Sequence, residues 1–352
     1  MDALVTGSRD LLRRAPGLIL EGTPNILSAQ EAASLGGLFL RSRGEYSQTP
    51  RKRGIIDWKS GEDFYQALAI TLLPSSRLWL GATLPRNARD IYDHAFDVHA
   101  ALAQSITSQV ARALRARDHV QIQRRGELSS DTALEIASRF DYALICLHGA
   151  FDTLAELCAE VYGQTKRRTD SWQRAEWVKK LGRNPATQSV AAAADCQEVR
   201  RTLRLLGELR NTVHGPTLQP RINTTARERR VLLLVPPTRI SAFRDTLLSW
   251  SGVPETWWGA RYHHRGPIEF HEDLGSYTVS YPSGSEYPVV EISIDPGICL
   301  ERLLVFGLEA LEQLASSIDW SQLGGLGFLP LSRRFGDSSV EERLRLLGGV
   351  FL

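Results

Sequence analysis

Hydrophobic positions recur with a helical period over most of the chain and with a strand period only toward its C-terminus. In residues 1–127, SAQEAASLGGLFLRS opens with a capping box formed by Ser28 and Glu31. The later stretch NARDIYDHAFDVHAALAQSITSQVARALRAR is a long amphipathic pattern, while TPRKRGIIDWKSG between the two has no period. We therefore predict a mainly helical N-terminal region with one irregular surface segment.

Residues 128–220 predict a bundle of three or four helices. After a cap signal at Ser129, TALEIASRFDYALICLHGAFDTLAELCAEVYG is too long and too apolar for a strand and predicts a buried helix. SWQRAEWVKKLG predicts a helix capped by Ser171. DCQEVRRTLRLLGELRNTVHGP predicts another, which Gly215 and Pro216 close.

Residues 221–352 change period and predict an α+β domain. The strand-like stretches are RRVLLLVPP, SYTVSYPS and PVVEISIDP. The helical stretches are TRISAFRDTLLSW, CLERLLVFGLEALEQLASSI and SSVEERLRLL, the last with a capping box of Ser338 and Glu341. The predicted fold is mainly α with a C-terminal α+β part, in which a helical N-terminal region and this domain flank a central bundle.

Composition excludes several classes of function. With 23% charged residues and a formal net charge of +2, the chain has no overall preference for nucleic acid or membrane, so any basic surface is local. The four cysteines lack metal-ligand spacing, and no Gly-rich phosphate loop or GxSxG motif occurs, so we predict no metal and no cofactor. Without an export signal or an apolar run of about 18 residues, we expect a cytoplasmic protein with no membrane contact.

The most unusual short stretch is LRNTVHGP, at the end of a helical pattern. At about 100° of rotation per residue, Arg210 and His214 lie about 20° and about 60° from Val199. Both therefore lie on or beside the apolar stripe, where a charge is costly unless it is paired or faces a polar cleft. A histidine exchanges protons near neutrality and an arginine binds phosphate, so the pair suits metal-free cleavage of RNA by its own 2′-hydroxyl.

These residues resemble the motif of the HEPN family, helical bundles that carry an Arg and a His near the end of a late helix. Arg210, Asn211 and His214 match that motif by type and by place, although their Arg-x(3)-His spacing is one residue shorter than the family's usual minimum. The resemblance covers about residues 129–220. It implies a homodimer whose two motifs face one cleft and cut RNA without metal, commonly in toxin–antitoxin or phage-defence systems with an antitoxin or other partner protein.

The resemblance also implies roles for individual residues. Arg210 would bind the scissile phosphate, His214 would act as general base or acid, and Asn211 would orient phosphate or ribose. Asp141, His148 and Asp152 share one face of the long apolar helix, and we expect them either to anchor Arg210 or to orient His214, with Asp152 the first choice.

Other interpretations stay open. The Arg–His pair also fits a structural role, in which cations cap the last carbonyls of a helix. The protein would then be a catalytically silent HEPN-like module that dimerises or binds a nucleotide or a partner, or a sensor that uses its C-terminal domain. The pair Arg89 and His94 has the standard spacing, but the two lie about 140° apart on a helix, so we interpret it as coincidence.

Weaker signals favour ordinary structure. We interpret the run with His263, His264, His271, Glu272 and Asp273 as a polar loop and not a metal site. Trp257 and Trp258 suit a core or an interface better than base stacking. The basic segments 51–53 and 166–168 suit solvated loops, with steering of RNA phosphates as the alternative.

Overall fold

The fold is mainly α with a C-terminal α+β part, as the sequence predicts. The computed structural model describes residues 3–8, 25–45, 61–83, 94–164, 171–224, 229–250, 255–258, 267–271, 274–280 and 289–323. Several sequence interpretations lie outside these ranges, namely those on Arg89, the segments 51–53 and 166–168, His263, His264, Glu272, Asp273, Ser338 and Glu341.

Ten α-helices occur within the described ranges. They are α1 (Ala29–Ser42), α2 (Gly61–Leu72), α3 (Ser76–Ala82), α4 (His94–Gln123), α5 (Ser130–Val161), α6 (Ala175–Gly182), α7 (Gln188–Asp195), α8 (Gln197–His214), α9 (Ile240–Trp250) and α10 (Pro296–Ser316). The two longest, α4 with 30 residues and α5 with 32, are consecutive and pack as a hairpin through the middle of the molecule. A short connection allows this antiparallel packing.

Eight strands form two sheets in the described part of the chain. They are β1 (Ala3–Val5), β2 (Asn25–Leu27), β3 (Gln219–Thr224), β4 (Arg229–Leu234), β5 (Glu255–Trp258), β6 (Pro267–His271), β7 (Ser276–Ser280) and β8 (Val289–Ile294). β1 and β2 pair in parallel, whereas the other six form an antiparallel sheet in the order β3-β4-β8-β7-β6-β5. That sheet is the β part of the C-terminal region.

The central helix α5 forms because its sequence supplies both a start and apolar sides. The Ser129 side chain accepts a hydrogen bond from the Thr132 backbone N–H at 3.2 Å, which satisfies a free donor of the first turn. Apolar residues then face the packed helices α4, α8 and α10 along its length, and Phe140 and Leu154 are completely buried. The remaining side of α5 faces solvent.

The predicted cap at Ser171 is wrong. Helix α6 begins at Ala175, with Arg174 preceding it and no side-chain cap. The residues before it form a turn that buries Trp172, whose indole N–H donates to the Phe151 carbonyl oxygen at 2.8 Å. Burying a large aromatic side chain with its N–H satisfied outweighs a helix cap.

A buried charge network lies where α1, α2 and α4 meet. The Asp118 carboxylate accepts hydrogen bonds from Arg41 Nε and Arg117 at 2.5 Å and from the Tyr65 hydroxyl at 2.8 Å. Burial alone raises the pKa of Asp118, but the two guanidinium groups outweigh that effect and hold the pKa below its usual range. Asp118 therefore stays charged and joins three helices.

None of the helices in the described ranges has the combination of length and hydropathy that a membrane crossing needs. The four cysteines are free; Cys146, Cys158 and Cys299 are buried, and Cys196 is partly exposed. Burial raises the pKa of the Cys158 thiol to about 12, so this side chain is neutral and belongs to the core.

Candidate functional site

The predicted motif lies in the last turns of α8. The buried side of this helix is formed by Val199, Leu203, Leu206 and Leu209, which pack against the central core. α8 ends at His214, where Gly215 and Pro216 follow in non-helical conformations. The end of the helix is therefore where the sequence predicts it.

The motif residues differ in burial. Arg210 is half-buried at the edge of the apolar stripe, whereas Asn211 and His214 are exposed. His214 is exposed although the sequence places it on or beside the apolar stripe, whereas Thr212 and Val213 of the same turn still contact the core. Arg210 and His214 are neighbours on consecutive turns, and neither makes a hydrogen bond or an ion pair with any residue that the structure describes.

Two of the expected supporting residues pair with each other. His148 Nδ1 lies 3.1 Å from Asp152 Oδ2, and His148 Nε2 lies 3.5 Å from Gln173 Nε2. Gln173 in turn donates to the Leu203 carbonyl oxygen of α8 at 2.9 Å. This chain of contacts reaches α8 at Leu203, about two helical turns before Arg210. Asp152 pairs with His148 and Arg210 has no partner among the described residues, so the expected anchoring of Arg210 by Asp152 does not form.

The third supporting residue, Asp141, lies half-buried on the solvent-facing side of α5. Burial raises its pKa to about 6, and its carboxyl has no hydrogen-bond or ion-pair partner among the described residues. The same side of α5 exposes Leu134, Tyr142 and Ile145, at 56%, 41% and 44% of their surfaces. Three exposed apolar side chains around a protonatable carboxyl suit contact with another surface better than contact with water.

The start of α5 lies beside the end of α8. Gln173 links the middle of α5 to Leu203, and β3, which follows α8, packs against α5. The Arg229 guanidinium of β4 donates to the Leu128 carbonyl oxygen, which immediately precedes α5. The two helices are therefore antiparallel, and the motif lies next to the half of α5 that exposes Leu134 and Tyr142.

A second polar site, which the sequence does not indicate, lies where α5 packs against α4 and α2. Helices α2, α4 and α5 line a cavity of about 390 Å³ that is open to solvent on one side. Its polar and aromatic lining includes Glu62, Tyr65, Gln66, Ser108, Arg112, Arg115, His119, Arg139 and Tyr142. The available signal was the repeat of polar residues at 108, 112, 115 and 119, which occupy one face of α4.

Two sequence interpretations in the C-terminal region concern residues that lie in the antiparallel sheet. His271 is buried at the end of β6 and is not part of a polar loop, because pairing with β7 carries it into the sheet. Trp257 and Trp258 lie in β5, the edge strand of the same sheet. Within the described ranges, no group of three or more His, Cys, Asp or Glu side chains is placed to hold a metal ion.

Comparisons with known proteins find no relative. No protein-family model, no curated protein and no solved structure matches the chain. The geometry of the two sites is therefore the basis for any functional conclusion, and the HEPN relationship stays a prediction from the motif.

Proposed function

We propose that the protein is a metal-independent endoribonuclease of the HEPN type, with Arg210, Asn211 and His214 as its site. The observation that supports this proposal best is that an arginine and a histidine lie on consecutive turns at an exposed helix end. Because neither side chain is engaged by a described residue, both are available to a ligand. A structural capping role would engage them instead.

The chemistry needs only proton transfer and charge stabilisation. A neutral His214 imidazole takes the proton of a ribose 2′-hydroxyl as that oxygen attacks the adjacent phosphorus. The bond from phosphorus to the 5′-oxygen breaks, the leaving oxygen takes up a proton, and a 2′,3′-cyclic phosphate remains. Arg210 binds the phosphate oxygens as negative charge increases on them, and Asn211 donates to phosphate or ribose.

A homodimer completes this proposal. One chain supplies one His214 as a base, and a second copy supplies the imidazolium that protonates the leaving oxygen. The exposed Leu134, Tyr142 and Ile145 of α5 support such a contact, since they give two copies an apolar surface to bury. In this proposal the protein acts on cytoplasmic RNA, with an antitoxin or a defence-complex protein as its regulator.

The test is RNA cleavage by the purified full-length chain. Wild type and His214→Ala are incubated with an RNA oligonucleotide and with one in which a 2′-deoxynucleotide replaces the residue at the cleavage position. We expect wild type to cut only the first, to leave a cyclic phosphate, and to be faster than His214→Ala by about 10² to 10⁴. His99→Ala is the matched control, because His99 lies on α4 near Glu160 and away from the motif. Equal cleavage by wild type and His214→Ala would remove the proposal.

One observation favours a second candidate, a catalytically silent module that binds RNA or a partner. His214 has no hydrogen-bond partner in the described ranges that would fix its tautomer, as catalytic imidazoles usually have. If this candidate is correct, the double variant Arg210→Ala, His214→Ala loses binding of an RNA oligonucleotide, while wild type binds it without cleaving it.

A further inference from the structure

The cavity between α2, α4 and α5 concentrates positive charge. Arg112 and Arg115 of α4 and Arg139 of α5 all line it, with His119 one turn beyond Arg115. Arg112, Arg115 and His119 make no hydrogen bond or ion pair with any residue in the described ranges. Arg112 and Arg115 are exposed to solvent at the cavity. Guanidinium groups that share one cavity repel one another, so a bound anion would stabilise the arrangement.

The acidic groups near the cavity are few and mostly engaged. Glu135 accepts a hydrogen bond from Arg139 Nε at 2.7 Å, which leaves the other nitrogens of that guanidinium free to reach the cavity. Asp118, on the buried side of α4, is held by Arg41, Arg117 and Tyr65. Glu62, in the first turn of α2, is the one carboxylate among the residues described as lining the cavity.

We propose that this cavity binds the phosphate group of a small phosphorylated metabolite, a phosphomonoester, independently of the site at Arg210 and His214. Two unpaired guanidinium groups match the charge of a phosphomonoester, which is about −1.5 to −2 near neutral pH. Gln66 and Ser108, which hydrogen-bond to each other at 2.6 Å, and Tyr142 provide polar and aromatic contacts for the organic part.

The size of the cavity and the position of its carboxylate favour a small ligand over a nucleic-acid strand. About 390 Å³ is close to the lower end of small-molecule sites. A strand would continue past the arginines with further phosphates, and Glu62 on α2 and Glu135 on α5 would repel them. The positive region therefore suits one phosphate group.

His119 provides an internal reporter of binding. It is half-buried, and burial together with the charges of Arg139 and Arg115 lowers its pKa, which favours the neutral imidazole. A phosphate group between the arginines screens their charge and offers the imidazole a hydrogen bond. Its ring signals then change in an NMR spectrum, and they are identified by their loss in His119→Gln.

The experiment measures binding of inorganic phosphate, AMP, ribose 5-phosphate and adenosine to the full chain by calorimetry. We expect the three phosphate-bearing probes to compete for one site and adenosine not to bind. Equal affinities of AMP and ribose 5-phosphate assign recognition to the phosphate alone, and tighter binding of AMP adds a contact to the base; both outcomes support the proposal.

The key variant is the double substitution Arg112→Gln, Arg115→Gln. Loss of two charge-assisted contacts weakens AMP binding by about 10²-fold or more. The control, Arg183→Gln with Arg204→Gln, removes the same charge from exposed positions on α8 and at the end of α6, and it leaves the affinity unchanged. Thermal unfolding verifies that both variants fold.

Three results would overturn the proposal. The first is no binding of any phosphate probe at millimolar concentration, together with His119 signals that do not change. The second is an equal loss of affinity in the key variant and the control. The third is binding of an RNA oligonucleotide alone, with no competition by AMP.

Discussion

Gln121 Nε2 donates a hydrogen bond to Glu301 Oε1 at 2.6 Å, which joins the last turns of α4 to the second turn of α10 inside the protein. Directly after the end of α4, Arg124 pairs with Asp295 at 2.7 Å. Asp295 caps α10 by accepting from the Gly297 and Ile298 backbone N–H groups. These contacts hold the start of α10 against the end of α4. They also leave a carboxyl group in a nearly dry environment.

Glu301 makes the stability of the protein depend on pH. Burial raises its pKa from 4.5 to about 7, with Arg117 and Arg124 opposing the shift. Because the pKa of Glu301 is higher in the folded state, its neutral carboxyl contributes fully to the free energy of unfolding below pH 4.5. This contribution is lost as the pH rises through about 7. We expect Glu301→Gln, which does not ionise, to be more stable than wild type by about 2 kcal/mol at about pH 8 and to gain little at about pH 4.

Urea unfolding of wild type and Glu301→Gln at the two pH values measures this difference. Glu127→Gln is the control, because Glu127 is exposed and precedes α5. A free-energy difference between Glu301→Gln and wild type that is the same at both pH values would contradict the assignment.

The ionised Asp118 carboxylate is expected to stabilise the fold, whereas ionisation of Glu301 destabilises it. Replacing Asp118 with asparagine keeps its size but removes the carboxylate charge that pairs with the buried guanidinium groups of Arg41 and Arg117. We expect Asp118→Asn to lower the free energy of unfolding by about 3–5 kcal/mol. Asp195→Asn, which breaks the exposed pair with Arg200, changes it by less than about 1 kcal/mol. Comparable losses in the two variants would show that the buried network does not stabilise the fold.

Two glycines test the packing of the helices. A Cβ at Gly307 of α10 would lie 2.9 Å from Leu147 Cδ2 of α5, whereas a Cβ at Gly36 of α1 would meet nothing within 4 Å. Gly307→Ala should therefore destabilise the protein by about 1–3 kcal/mol, and Gly36→Ala should stabilise it by up to about 1 kcal/mol. Thermal and urea unfolding provide both values. A stabilising Gly307→Ala would mean that α5 and α10 are less closely packed.

Asp152 tests how the proposed nuclease site is supported. Because its carboxylate pairs with His148 and not with Arg210, Asp152→Asn should change RNA cleavage by less than about twofold while it alters the His148 ring signals. A residue that positions a catalytic group would instead cost about 10- to 100-fold. Arg210→Lys is the comparison that should lose activity, and a loss of that size in Asp152→Asn would assign it a positioning role.

The periodicity of the sequence was enough to predict the long helices. The segments that became α5 and α8 carry clear helical periods, and they form within a few residues of the predicted limits. The helix α6 was displaced from its predicted start because Trp172 is buried against the Phe151 carbonyl group, which is a tertiary contact that no local pattern contains. Strand β3 was missed for a related reason, since its pairing with β4 and not its own alternation makes it a strand.

Sites were harder to predict than elements. Arg210 and His214 interrupt the apolar stripe of α8, but the stripe does not reveal that the His214 side chain is exposed while Thr212 in the same turn is buried. No pattern in the sequence indicates the cavity around Arg112. Its arginines lie on two different helices, and only the packing of α4 against α5 brings Arg115 and Arg139 to one place.

The position of α10 has a consequence for folding during synthesis. This helix is formed by residues 296–316, yet it packs on α5, which ends at residue 161. A ribosome must therefore release more than a hundred further residues before one side of α5 is covered. During that interval the apolar surface around Leu147 is available to chaperones or to other nascent chains, so slow translation between the two segments is expected to lower the yield of native protein.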